Sequence, residues 1–586
     1  MIMAENELKS KILPFVLHNA ISFSGKVNPK ASMGFVLKHL PELRKDAKLV
    51  LAAVGGIVES EISGKSVDDL KARLVEVAPD FEAQLNASKK EEVKGPLKPL
   101  RGAEKGKLCV RIAPSPSGPL HIGHAYGSLL NFMYAQMYGG EFILRIEDTN
   151  PSNIYSPAYD LILDDVKWLT NGKVVNCVVQ SERLETYYKY GRDLIDSGDS
   201  YVCDCDSDNW REMKAKKAAC SCRDLEIVDQ QTRWDKMFIP VVDGGYSEGD
   251  VVVRLKTDIA HKNPAMRDFS LFRINDHAHP KASGATRVWP LMIMSVAIDD
   301  TLLGITHVLN GKDHLDNGRK ETLILEKLGL RVPLYQHWGR INFEGFALST
   351  SKTRIAIEQG EYTGWDDIRL ATLRTLRRRG YQVGAFSKFA AAIGLSPNDK
   401  TVSWDEFWKM VNSFNKEIVE PLANRYFFVE DPVEINVEGM SSHDVSLAMH
   451  PDFVDRGNRS FVVGPKLVLA SKDFKTLATS RVHRLIDCCN FTVDENGRFL
   501  FHSESYDEYR DAANRGKILH YLPAGASNVC DLEIMRMGHK IVKGSGEVGL
   551  LSCSVGDIVQ LEREYFARVD RIDSESGKVW LWELHN

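Results

Sequence analysis

Leu8, Ile12, Val16 and Ala20 fall at four-residue spacing, the stripe of an amphipathic helix, and Pro14 within it is expected to bend or interrupt that helix. Ser66 with Asp69 has the spacing of a capping box opening a further helix. Residues 1–88 therefore read as an appended helical domain whose apolar stripes serve packing and which carries no visible chemistry. Residues 89–106, rich in Lys, Glu, Gly and Pro, read as a linker. From Lys107 the pattern changes. Lys107–Ile112 reads as a strand, Ala125–Met137 as a helix, Glu141–Asn150 as a buried strand ending in polar residues, and Ala158–Leu169 as a helix. That alternation predicts a parallel sheet, with ligands bound at the carboxyl ends of its strands, where Arg111, Glu147 and Asp148 fall. Asp250–Lys256 alternates like a strand, and the run Ile298–His314 ends another in polar residues. Helices continue to about Asn424, with Ser396 and Ser403 as caps; from Arg425 short strands and turns predict β-barrels.

Composition narrows the classes. A chain of 586 residues suggests about four domains at roughly 150 residues each. The net charge of −5 excludes a polycation, so any nucleic-acid surface is a local patch. Glu5 and Glu7 sit where a signal peptide would need an apolar core, and the runs Leu49–Val58 and Val288–Ile298 are too short for a membrane span. A cytoplasmic protein without membrane contact is expected. Ten cysteines in so long a chain make no disulfide scaffold, which suits a reducing compartment.

Three stretches carry candidate chemistry. Cys203 and Cys205, then fourteen residues, then Cys220 and Cys222, form two Cys-x-Cys knuckles able to present four thiolates to one zinc ion. Four protein ligands leave no open position, so such a metal is structural. Arg211, Lys214, Lys216, Lys217 and Arg223 flank it, a phosphate-facing patch or a solvated face. In Arg111–His124, Pro114, Pro116, Gly118 and Pro119 force a stiff turn, and His121 and His124 share a helix face. Gly123 admits a close approach, and two imidazoles with the free N–H groups of a helix start make a polyphosphate site. No Walker-type loop is present, which argues against an ordinary kinase or GTPase. The third stretch, Gly364–Arg379, is a basic helix containing Arg374, Arg377 and Arg378.

The string Arg111-Ile-Ala-Pro-Ser-Pro-Ser-Gly-Pro-Leu-His-Ile-Gly-His124 resembles the first signature of class I aminoacyl-tRNA synthetases, in the glutamyl/glutaminyl branch. Gly345–Arg354 aligns with the second signature, Leu348-Ser-Thr-Ser-Lys352 replacing the commoner Lys-Met-Ser-Lys-Ser. The four-cysteine knuckle is similar to that of archaeal-type glutamyl-tRNA synthetases. The resemblance implies an α/β fold with a Rossmann-like catalytic domain in two halves, 107–200 and 286–345. An acceptor-binding insertion with the zinc knuckle spans 201–285. The signature loop and a helical stem-contact domain cover 346–424, and anticodon-binding β-barrels 425–586.

The implied activity is ATP-dependent ligation of glutamate to tRNA(Glu) through glutamyl-adenylate, with Mg²⁺ accompanying the nucleotide. In that reading His121 and His124 contact the ATP phosphates, and Lys352 with Ser349 and Ser351 stabilises the departing pyrophosphate. Pro114, Ser115, Pro116, Ser117, Gly118, Pro119, Leu120, Ile122, Gly123, Asp313 and His314 surround the nucleotide. Arg111 meets the substrate side-chain carboxylate and Glu147 its ammonium group, with Ala113, Ser115, Met292 and Asn310 completing the amino-acid pocket. Lys216, Lys217, Arg374, Arg377 and Arg378 face the tRNA. Two positions depart from the family pattern: Met292 stands where Tyr is usual, and Asn310 where Arg is usual. A lost Arg–carboxylate contact costs about 2–3 kcal/mol unless replaced. Two alternatives therefore stay open. A glutamine ligase is weakened by the zinc knuckle, and a non-catalytic tRNA-binding paralogue is opposed by His121, His124 and Lys352. Charging of tRNA(Gln), and a protein partner for the N-terminal domain, are further open expectations.

Overall fold

The computed structural model describes all residues except 1–4, 24, 26, 28, 41–42, 44–45, 82–96, 174–175, 340, 345–349 and 526. The chain divides into two compact units, residues 1–95 and 96–586.

The first unit is helical: α1 (Glu5–Ser22), α2 (Pro29–His39), α3 (Ala47–Ile57) and α4 (Val67–Val77). Pro14 does not interrupt α1, which runs on through it. A proline inside a helix costs about 3 kcal/mol. Ile12, Val16, Leu17 and Ala20 are all fully buried in the unit's core. Each large apolar side chain so buried contributes about 1.5–3 kcal/mol, enough to hold the helix together across the break. Ser66 caps α4: its Oγ accepts the Asp69 N–H at 3.2 Å while Asp69 Oδ2 accepts the Ser66 N–H at 3.1 Å.

The second unit begins earlier than the linker reading placed it. Leu97 and Leu100 are buried in its core, the Leu100 N–H donates to the Tyr138 hydroxyl at 2.9 Å, and the Tyr134 hydroxyl donates to the Lys98 carbonyl at 3.1 Å. Residues 97–106 are thus packed structure, not linker. Strands β1 (Cys109–Ile112), β2 (Glu141–Ile146) and β3 (Asn176–Val179) form a parallel sheet in that order. The antiparallel insertion sheet joins β4 (Ser200–Cys203), β5 (Val252–Leu255), β6 (Ser270–Ile274) and β7 (Val288–Pro290), so its last strand lies past residue 285, where the insertion was expected to end. A second parallel pair, β8 (His307–Gly311) and β9 (Leu334–Trp338), extends the first sheet beyond β1: the Thr306 N–H donates to the Cys109 carbonyl at 2.9 Å. Its central strands β1 and β2 are buried almost throughout, as the middle of a parallel sheet requires, while β3 and β9 at the edges are partly exposed.

Helices Thr350–Glu358, Leu373–Arg379, Val383–Ile393 and Trp404–Val419 follow. Ser403 caps the last of these in a full capping box; Ser396 lies between a helix end and the strand Lys400–Ser403 and caps none. The C-terminal part holds two barrel-like, seven-stranded sheets, each with its own apolar core. The first includes Asn424–Tyr426 and Phe428–Glu430 with strands from 529 onward; the second includes Pro432–Glu438, Val482–Leu485 and Asn490–Val493. Among the described residues, no helix is long and apolar enough to cross a membrane.

Candidate active site and metal centre

A cavity of about 430 Å³ opens at the carboxyl ends of β1, β2 and β8, as a parallel sheet predicts. The turn after β1 is pinned from several sides. The Glu147 N–H donates to the Pro114 carbonyl at 3.0 Å, the Tyr155 N–H to the Pro116 carbonyl at 2.8 Å, and the Leu120 N–H to Asp165 Oδ2 at 2.8 Å. A side chain on Gly118 would lie 2.3 Å from Thr350 Cγ2 and 2.9 Å from Trp365, so the first turn and the start of helix Thr350–Glu358 pack closely only because that residue is glycine.

The helix Ile122–Tyr138 starts in this turn, but its first N–H groups are not free. The Ile122 N–H donates to the Ala371 carbonyl at 3.2 Å, the Gly123 N–H to His121 Nδ1 at 3.1 Å and the His124 N–H to the His121 carbonyl at 2.9 Å. The expected backbone cradle for phosphate is therefore occupied by the protein itself. The imidazoles take its place. His121 Nδ1 accepts from Gly123, and His124 Nδ1 accepts the His121 N–H at 3.2 Å, so each neutral ring carries its hydrogen on Nε2. Burial, then the neighbouring His124, pushes His121 down to about 2; burial pushes His124 down to about 4. Both rings line the cavity as neutral donors, their centroids 3.9 Å apart.

Beside them lies a buried ion network. Arg111 grips Asp300 through Nε (3.1 Å) and Nη2 (2.9 Å). Arg145 reaches Asp300 at 2.5 Å and Glu147 at 3.0 Å. Asp299 accepts from Arg183 at 2.8 Å, Tyr187 at 2.7 Å and Gln180 at 3.1 Å. Burial raises the Asp300 carboxyl, but Arg111 and Arg145 outweigh it and hold it below the usual range. Burial leaves Glu147 above its ordinary value despite Arg145 and Arg111. Glu321, also lining the cavity, is pushed up to about 7 by burial and by Asp300. Such a network does little for stability, but it fixes guanidinium positions before substrate arrives.

Most of the expected site residues meet here. Ala113, Pro114, Ser115, Ser117, Gly118, Pro119, Leu120, Gly123, Met292, Asn310 and His314 line the cavity with Arg111, Glu147 and the two histidines. Pro116 and Ile122 are buried behind it, and Asp313 pairs with His314 at 3.6 Å without lining it. Ser351 and Lys352 sit on helix Thr350–Glu358, of which Thr350 lines the cavity; Ser349 lies outside the described residues. Asn310 Oδ1 accepts from His337 Nδ1 at 2.6 Å, which turns its amide N–H₂ to be the free side. Tyr126 packs edge-on against Trp338 and donates to the Gly394 carbonyl at 2.9 Å. Sequence reasoning gave no role to Arg145, Asp299, Asp300, Glu321 or Trp338. The signal present was the acidic pair Asp299-Asp300 inside an apolar helix, Met292–Leu302.

The four cysteines converge. Their sulfurs lie within 4.8 Å of one another, with Cys203–Cys220 at 3.9 Å and Cys205–Cys222 at 3.7 Å, and none forms a disulfide. Four sulfurs at about 2.3 Å around one zinc are about 3.8 Å apart, so the spacing and the thiol donor set fit that ion.

The basic residues are less available than expected. Arg374 and Arg377 both reach Asp164 Oδ2 at 3.1 Å, and Lys216 pairs with Glu212 at 2.5 Å. Arg378 makes a fork on Asp570 (2.9 and 2.7 Å), meets Asp366 at 2.8 Å, and lies 4.0 Å over the Trp582 ring. It ties helix Leu373–Arg379 to the first barrel-like sheet while its side chain stays about a third exposed. Lys217 is exposed, its backbone left-handed at φ 60°.

Residues 107–420 match the family model described as tRNA synthetases class I (E and Q), catalytic domain, and residues 423–500 match the corresponding anti-codon binding domain. A protein of Pyrococcus abyssi named glutamate–tRNA ligase is 41% identical over 97% of this chain and 98% of its own length. Namesakes in Methanococcus maripaludis (strain C5) and Methanocaldococcus jannaschii are each 39% identical, over 96% and 97% of this chain and 98% of their own lengths.

Proposed function

Since the chain belongs to the class I tRNA synthetases of the E and Q type, we propose that it ligates glutamate to tRNA(Glu) at the expense of ATP. A glutamate carboxylate oxygen attacks the α-phosphorus and pyrophosphate departs. The terminal adenosine of the tRNA then takes the acyl group from glutamyl-adenylate, and AMP leaves. The observation that carries this reading is the pairing, in one cavity, of two neutral imidazole Nε2–H donors with a guanidinium fixed in advance.

His121 and His124 donate to the triphosphate as charge develops on it. Donors held in place before reaction cost no reorganisation at the transition state. Ser351 and Lys352, with Ser349, act on the leaving pyrophosphate from the second signature. Mg²⁺, brought by the nucleotide, supplies charge neutralisation on its phosphates. Arg111, with Nε and Nη2 on Asp300, offers Nη1 to the substrate side chain, and Glu147, with Oε1 on Arg145, offers Oε2 to the ammonium group. Asn310 presents N–H donors because His337 holds its oxygen. Donors suit a carboxylate better than an amide nitrogen, which favours glutamate over glutamine.

Cys203, Cys205, Cys220 and Cys222 would hold one Zn²⁺, which supplies a fixed shape to the acceptor-binding insertion. Lys216, Lys217, Arg374 and Arg377 stand on the tRNA side. The protein works in the cytoplasm. The N-terminal helical unit is the candidate for any protein partner.

Aminoacylation of total tRNA with labelled glutamate and glutamine in parallel, with ATP and Mg²⁺, tests this. Glutamate attached to tRNA(Glu) is expected. Glutamine attachment would promote the alternative ligase, tRNA binding without any attachment the non-catalytic reading, and charging of tRNA(Gln) would widen the acceptor range. Metal analysis of the purified protein should find one zinc per chain; a fully active metal-free protein would refute that assignment.

A further inference from the structure

Away from the active-site cavity, the second barrel-like sheet holds a cysteine beside a base. Cys488 follows strand Val482–Leu485, in the short turn to Asn490–Val493, and its Sγ is 3.7 Å from His443 Nε2. His443 Nδ1 lies 3.1 Å from the Ser441 carbonyl oxygen. A carbonyl only accepts, so Nδ1 carries the hydrogen and Nε2 of the neutral ring holds the lone pair. The Cys488 S–H is therefore the donor to that nitrogen. Tyr521, fully buried, packs in the same apolar core as Cys488, and among the described residues its hydroxyl has no hydrogen-bond partner. Thiol, imidazole and an orienting acceptor behind the imidazole are the parts of an activated cysteine. Glu504, Arg484 and Asp487 are the charged groups around this cluster.

We propose that Cys488 is a peroxide-reactive thiol, with His443 as its base and Tyr521 as a hydrogen-bond donor to the thiolate. The proton passes from Sγ to His443 Nε2. The thiolate attacks one oxygen of hydrogen peroxide, the O–O bond breaks, and the departing hydroxide takes the proton back from the imidazolium as water. The product is the sulfenic acid. Sulfur gives up two electrons, and the peroxide O–O bond takes them as it breaks. Contact with Cys489, the Tyr521 hydroxyl and His443 together hold the Cys488 thiol below the ordinary thiol range, whereas burial pushes Cys109 and Cys530 up to about 12. Cys488 is 6% exposed and His443 partly exposed, an opening suited to a small oxidant rather than a bulky one. Its sulfur belongs to the apolar core of a region matched to anticodon binding, so an added oxygen has to be accommodated inside that core.

The test treats the full-length protein with hydrogen peroxide and dimedone and maps adducts by peptide mass spectrometry. Cys488 should be trapped at least tenfold faster than exposed Cys177 or buried Cys530, with a rate–pH midpoint below the ordinary thiol value of about 8.5. His443→Gln should slow it about tenfold and move the midpoint toward the ordinary thiol value of about 8.5. Tyr521→Phe should give a smaller loss. Trapping no faster than at Cys177, or a wild-type midpoint at or above about 8.5, would overturn the proposal; the wild-type profile decides the matter even where a variant misfolds.

Discussion

Two arginine–carboxylate clusters in this chain share a chemistry and differ in surroundings. Around Asp300, Arg111 is 8% exposed and Arg145 and Asp300 are fully buried. Along helix Leu373–Arg379, Arg374, Arg377 and Arg378 meet Asp164, Asp366 and Asp570 with side chains about a third to a half exposed on the arginine side. In the first cluster each ion gives up its water, and mutual attraction roughly offsets that loss. The gain is geometric: a guanidinium held where a substrate carboxylate will come. In the second, water screens the pairs, each contributes about 0–1 kcal/mol, and a phosphate can displace the carboxylate. Burial turns the same pair from a reserve of charge into a fixture.

The difference is sharpest at Asp300. Asp300→Asn leaves two buried arginines without their shared charge, and breaking a buried pair costs about 3–5 kcal/mol. Denaturant unfolding should show that loss, together with a kcat/KM for glutamate at least 10²-fold lower; a variant of wild-type stability would mean the network relaxes to include water. His124→Ala comes next. It removes one preorganised donor, worth about 10²–10³ in rate. Activation should fall by that factor while tRNA affinity, measured by filter binding, stays nearly unchanged. Equal loss of both would contradict the phosphate-facing role.

Glu321→Gln follows. The Glu321 carboxyl is held at about 7 in the folded chain against an ordinary 4.5. The folded protein thus keeps a proton there that the unfolded chain releases. The stability this contributes is fully present below pH about 4.5 and is lost as pH rises toward about 7; the difference is on the order of 3 kcal/mol. Glutamine, which cannot ionise, should remove that slope, so the variant gains on the wild type between acid and neutral pH. Parallel stability profiles across that window would show that Glu321 stays ionised.

Local constraint made part of this legible in sequence. Four prolines and glycines within residues 114–119 leave the turn after β1 few conformations, and Cys-x-Cys pairs have little reason to recur except to face one another. What sequence hid is long-range. Arg111 and Asp300 are 189 residues apart, Arg378 and Asp570 192, and the acceptor of the Ile122 N–H is Ala371. A basic helix reads as free cations until its counter-charges arrive from another sheet, and a helix start reads as free N–H groups until a distant carbonyl fills it. That α1 continues past Pro14 was hidden for the same reason, since the core that carries the helix across it is assembled from other helices.

The smallest effects separate strut from reserve within the exposed cluster itself. Asp570→Asn leaves Arg378 its contact with Asp366 and its place over Trp582, so the melting temperature should drop only slightly, by what a loss of about 1 kcal/mol gives, and the salt dependence of tRNA binding should not change. Asp164→Asn should behave differently. Arg374 and Arg377 both rest on that one carboxylate oxygen. Once it is removed, both guanidiniums are available to phosphates, and log Kd against log salt should steepen by about 0.7–0.9 per new contact. Stability should barely move. A steeper slope in the Asp570 variant instead would mean that Arg378, despite its fork and its tryptophan, is held no more firmly than its neighbours, and that half-burial is not enough to make a fixture of an ion pair.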